Sequence, residues 1–183
     1  MDTGKQDAFL ENYRWLARYN RWFNARLYDA CERLDDAGRR QDRGAFFGSI
    51  HRTLNHLVWA DRMWLGRMAA LGPFQSLTPG VLALPQGAVH ETVLYEDWSE
   101  LRKARAELDD AIVAWTLEMD ARRPLAVMRY ANTKGVKREH AAWRAMTHFF
   151  NHQAHHRGQV TTLLVQAGVD PGVTDLIALP DNA

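Results

Sequence analysis

The sequence predicts an all-α protein, a four-helix bundle that takes residues 1–183 as a single domain. Three observations lead there. Four long segments carry apolar residues at the alternating steps of three and four that mark one face of a helix. Strand signals are confined to a short, weak stretch near residues 125–138. About twenty residues rich in Pro and Gly, including Pro73, Pro79-Gly80 and Pro85-Gln86-Gly87, separate the second segment from the third. A connection of that length crosses over a fold or covers a site, and a crossover makes the helices it joins parallel.

The first helix is expected from about Asp7 to Leu34, with Phe9, Tyr13, Leu16, Asn20, Phe23, Leu27, Ala30 and Leu34 on one seam. Asn20 is the member that does not belong in an apolar seam. A buried Asn must spend several donors and acceptors, so it either sets helix register or faces a polar pocket. Asn24 lies one turn later. The second helix, about Ala45 to Leu71, has a ridge of Phe47, Ile50, Leu54, Leu57, Trp64 and Met68, into which Asp61 intrudes. Beside it runs a row of small or polar residues, Ser49, Thr53, His56 and Ala60. His56 is the metal-competent member of that row. His51 falls about 140° away on the wheel and reads as a surface or supporting residue.

The third helix, about Glu96 to Leu117, carries Trp98, Leu101, Leu108, Ile112 and Trp115, and its Arg102–Glu107 stretch reads as a solvated face. Leu125–Tyr130 and Val136–Arg138 form a short hairpin around Ala131–Gly135. The fourth helix runs from about Glu139 to Ala167 and stops at Gly168.

Chemistry concentrates in that fourth helix, where His152, His155 and His156 fall within five residues. At about 100° per residue, His152 and His156 share the buried stripe with Ala145, Phe149 and Leu163, while His148 and His155 lie on its flank. A lone His on an apolar face is usually a core residue with one hydrogen bond. Two stacked a turn apart, about 6 Å at Cβ, each need a polar partner, and one metal ion serves both. His56 is the third ligand that such an ion needs. Gln159, one turn beyond His156, and Asn20 and Asn24 from the first helix would orient a bound ligand. Asp61 is expected to pair with a fourth-helix arginine such as Arg157.

Composition narrows the rest. A net charge of +1 with the signs interspersed gives no electrostatic footprint for nucleic acid or an anionic membrane. No apolar run reaches the length of a membrane span, and the polar start MDTGKQDAF does not read as a signal peptide. The single Cys31 forms no internal disulfide, which fits a reducing cytoplasm; it reads as a packing residue. Trp15, Trp22, Trp59, Trp64 and Trp98 exceed what one narrow core holds, which points to a homodimer.

Four stretches carry a family resemblance: Tyr19-Asn20-Arg21-Trp22; Arg43-Gly44-Ala45-Phe46-Phe47 through Asn55-His56-Leu57 to Asp61-Arg62; Phe150-Asn151-His152 through His156-Arg157-Gly158-Gln159; and Gln166 to Gly172. With them the chain resembles the DinB/YfiT-like proteins of bacteria, over nearly its whole length, although Leu71 to Arg138 carries little of the pattern. The resemblance implies an up-down-down-up bundle holding a divalent ion, nickel or zinc, on one histidine of the second helix and two of the fourth. By position these are His56, His152 and His156. Related members are thiol-dependent, among them bacillithiol transferases and mycothiol-dependent maleylpyruvate isomerases, and dimers are common. The family is unrelated to the DNA polymerase of the same name.

Three neutral imidazoles leave an open coordination position, the mark of a catalytic rather than structural metal. A thiol or a water that reaches such an ion loses its proton readily. The expected function is therefore a divalent-metal-dependent transferase that activates a low-molecular-weight thiol against an electrophile, with no general base assigned. The alternatives are a hydrolase at the same ion and a non-catalytic metal-binding stress protein.

Overall fold

The computed structural model describes residues 3–181. The chain is mostly helical, with one small two-stranded sheet. In order the elements are α1 (Thr3–Glu32), α2 (Asp36–Arg40), α3 (Ile50–Met68), α4 (Pro79–Leu82), α5 (Trp98–Glu118), β1 (Val127–Ala131), β2 (Lys137–Ala141) and α6 (Ala142–Gln166).

The four long helices fall where periodicity puts them, and the corrections lie at their ends. The second predicted helix starts at Ile50 rather than Ala45, because Ser49 caps α3 by accepting from the Arg52 N–H at 3.3 Å. Just before it, Gly44 and Gly48 take positive φ, +70° and +79°, a turn that other residues resist. The fourth predicted helix loses Glu139–Ala141 to β2, where Arg129 faces Glu139 across the ladder and pairs with it at 2.8 Å. The short helices α2 and α4 were not predicted, since four or five residues carry no readable period. They rest on their caps, Asp35 and Thr78.

α1 and α3 each pack against both α5 and α6. Paired residues give the directions. Asn55 reaches Tyr95, just before α5, and Asp61 meets Arg105, so α3 and α5 run the same way. Tyr13 bonds the Trp143 carbonyl at 3.0 Å and Asn20 meets Arg157, so α1 and α6 also run together. Against α6, α3 runs opposite: His56 meets His156, and Trp64 meets His148. The apolar centre is filled by side chains such as Leu54, Leu65, Trp115 and Phe149, with the last two rings edge-on at 6.1 Å. Each such burial contributes about 1.5–3 kcal/mol before its entropy cost.

Three expectations change in this frame. Arg102–Glu107 is not wholly a solvated face: Arg105 is only 3% exposed and sits between Asp61 at 2.6 Å and Asp109 at 2.9 Å. Asp61 pairs with this α5 arginine rather than with Arg157, because parallel packing brings α5 to its level. The tryptophans also find partners within the chain. Trp59 is buried, while Arg26, Arg67 and Arg39 lie over Trp22, Trp64 and Trp98. Cys31 is fully buried, and burial pushes its thiol pKa up to about 12, as suits a packing residue.

Candidate metal centre

The capped start of α3 places His56 nearly two turns into that helix, facing the α6 stripe that carries His152 and His156. The three rings meet through their outer nitrogens. His152 Nε2 lies 3.3 Å from His56 Nε2 and 3.1 Å from His156 Nε2. One nitrogen from each ring falls within 4.8 Å of the other two, a spread that one ion can bridge.

The inner nitrogens of His56 and His156 are occupied. His56 Nδ1 is 2.9 Å from the His90 carbonyl, and a carbonyl only accepts, so the proton sits on Nδ1 and Nε2 carries the lone pair. His156 Nδ1 donates to Gln159 Oε1 at 2.8 Å, which leaves its Nε2 in the same state. His152 can offer one N–H at most, to one of these two acceptors. Neutral imidazoles alone therefore leave at least one Nε2 lone pair without a donor; a cation at the meeting point satisfies all three. The residues fit the metal that the pattern implies.

The electrostatics agree. Burial holds His56 down to about 4 and His152 to about 3, the latter helped by the neighbouring His156, and burial also lowers His156. His56 and His152 are neutral at pH 7, and His156 is shifted the same way. The walls are aromatic: Phe47 stacks on His56 with centroids 4.1 Å apart, and Trp59 covers it from 6.0 Å.

The other histidines stand aside from that point. His148 fills the gap between Trp64 and His152, and His155 lies against His156 and Gln159. His51 is not at the surface: it is fully buried, with Nε2 2.9 Å from the Tyr95 carbonyl.

The residues expected to orient a ligand are engaged elsewhere. Gln159 reaches the far nitrogen of His156 and holds that ring's tautomer, the role an outer partner plays for a metal-binding His. Asn20 and Asn24 donate to Asp109 at 2.8 and 2.9 Å, and Asn20 accepts from Arg157. They belong to a buried ion network of Asp61, Arg105, Asp109, Gln153 and Arg157. Asp61 also accepts from Gln153 at 2.9 Å, so the network ties α3 to α6 beside their ligand-bearing turns.

Sequence reasoning missed Arg105, Asp109 and Gln153, although Arg105 and Asp109 stand at the i,i+4 spacing of an ion pair. It also missed Asn55. That buried amide brackets Tyr95, accepting from its N–H at 2.8 Å and donating to its carbonyl at 3.2 Å. With the His56–His90 and Trp59–Ala88 bonds it pins the long crossover against the back of the centre.

A helical frame that brings three neutral imidazoles from two helices to one point defines a helical protein with a site able to hold a metal ion. The sequence pattern of the DinB family matches residues 7–183, and the chain belongs to that family. It is 23% identical over 161 residues to Protein DinB of Bacillus subtilis (strain 168), covering 87% of this chain and 88% of that protein. No solved structure matches the chain. Among the described residues, no helix is long and apolar enough to cross a membrane.

Proposed function

We propose that this DinB-family chain is a single-domain, up-down-down-up four-helix bundle in the cytoplasm that uses a divalent ion, nickel or zinc, to transfer a low-molecular-weight thiol to an electrophile. The observation that carries the reading is the convergence of three Nε2 atoms, two of which, on His56 and His156, carry lone pairs because their Nδ1 protons are directed elsewhere. An ion bound there supplies Lewis acidity, which lowers the pKa of a thiol or water that reaches it. The chain's own residues hold the rings: His90 through its carbonyl and Gln159 through its amide fix two tautomers, and Phe47 and Trp59 exclude water from the His56 ring.

One observation favours thiol transfer over hydrolysis. A hydrolytic site benefits from a carboxylate that takes a proton from water. The cluster contains only histidines, and the intruding Asp61 is buried and committed to Arg105 and Gln153. A thiol, already acidic near pH 8.5, needs no such base. We also propose a homodimer, supported by exposed Phe9, which meets Trp143 edge-on and offers an aromatic patch to a second copy. Light scattering decides that point.

The test is metal analysis followed by activity. Purified protein should carry about one nickel or zinc per chain. His156→Ala should lose it while keeping its helical circular dichroism, and His155→Ala should keep it. With the ion present, the protein should accelerate displacement of chloride from 1-chloro-2,4-dinitrobenzene by a small thiol, which releases chloride and a proton, more than hydrolysis of 4-nitrophenyl acetate. Loss of the ion from the His155 variant but not the His156 variant would sink the site. Ester hydrolysis without thiol transfer would sink the transferase reading.

A further inference from the structure

Beside Trp59, α3, the His90 turn and the β1–β2 hairpin line a second space, which none of His56, His152 and His156 lines. It is a cleft of about 400 Å³, within the size range of small-molecule sites. Trp59, Trp64 and Tyr130 give it flat walls. Two of these walls are shared with the histidine centre. Trp59 lies nearly parallel to the His56 ring, and Trp64 abuts His148, whose ring is 5.7 Å from that of His152.

The charge of the cleft is one-sided. Arg67 and Arg138 line it and no carboxylate does. The Arg67 guanidinium lies 4.8 Å over Trp64 and 4.7 Å over Tyr130, and one of its N–H groups donates to the Ala131 carbonyl at 3.1 Å. Neither Arg67 nor Arg138 has a carboxylate partner among the described residues, whereas Arg129 on the same hairpin is matched by Glu139. Burial pulls the Arg67 pKa down, the direction of a cation short of anionic neighbours. A guanidinium held over these rings, with one N–H spent on a carbonyl, has further N–H groups for a planar, bidentate acceptor. A carboxylate is such an acceptor, and the indole and phenol walls suit a flat, unsaturated body attached to it.

We propose that this cleft binds a small organic acid with a flat, unsaturated body, its carboxylate held by Arg67 and Arg138. The binding rests on the cleft alone and needs no ion at the three histidines.

The probes are 2-naphthoate and its neutral isostere 2-naphthamide, titrated by calorimetry into protein as purified and after EDTA treatment. The acid should bind about tenfold or more tightly than the amide in both preparations. Arg138→Gln, an exposed change that spares the core, should weaken the acid about fivefold or more and leave the amide unchanged. Arg129→Gln, the control on the neighbouring strand, should change neither. Equal binding of acid and amide, or an Arg138 variant indistinguishable from wild type, would overturn the proposal. So would loss of naphthoate binding after EDTA, since the carboxylate would then sit on the ion; that result would leave the metal centre standing. Naphthoate selectivity in a protein that takes up no metal would uphold the cleft and remove the transferase reading.

Discussion

Arg105→Met probes the buried network that joins the ligand-bearing helices. The methionine keeps most of the arginine stem's packing and removes only the cation. Arg105 holds Asp61 at 2.6 Å and Asp109 at 2.9 Å, with all three side chains under 5% exposed. After the change Asp61 keeps only the Gln153 amide, and Asp109 keeps only the amides of Asn20 and Asn24. Leaving buried charge without its partner costs about 3–5 kcal/mol, a large share of the roughly 5–15 kcal/mol that holds a domain folded. Burial already raises Asp109 to about 6, with Arg105 opposing the rise, so without Arg105 it climbs further. A carboxyl whose folded pKa exceeds its unfolded value, about 3.9, holds more protons when folded, so its penalty eases as pH falls. The deficit against wild type should therefore narrow between pH 8 and pH 6. Urea unfolding followed by tryptophan fluorescence at both pH values measures it. A loss below about 1 kcal/mol, or a deficit that is constant or widens on acidification, would refute the account, because a mere packing defect has no such pH dependence.

Two further outcomes test the centre itself. Gln159→Ala leaves all three ligands in place but removes the acceptor for the His156 Nδ1–H, so metal affinity should fall about 10–100-fold in a chelator competition; an unchanged affinity would mean that the amide does not set the ring. Because burial holds His56 at about 4 and His152 at about 3, metal uptake at pH 7 should release almost no protons from these two rings, whereas rings at the ordinary pKa of about 6.5 would release roughly a quarter of a proton each. Calorimetry in two buffers of different ionisation enthalpy separates these cases. By the same sign, acid should compete with the metal only well below pH 6.5.

Much of this protein was legible one helix at a time. Periodicity located the four long helices and placed His152 and His156 on one inward stripe with His56 facing them, because a helical turn converts sequence spacing into direction without reference to the rest of the chain. The partners of buried polar groups were not legible. The amides of Asn20 and Asn24, read as groups that orient a ligand, are spent on Asp109, which arrives from a helix more than eighty residues away. Arg105 looked solvated within a charged run, and only the packing of α3 beside α5 put it between two carboxylates. Asp61 was assigned the wrong arginine because two helices offer one, and parallel packing decides which reaches its level. Gln159 was placed on the correct helix but given to the ligand rather than to the His156 ring, since a wheel gives the direction of a side chain and not the atom it finishes on. Sequence thus determined which faces turn inward; only the tertiary structure decided which inward groups meet, because those meetings depend on how one helix slides and turns against another.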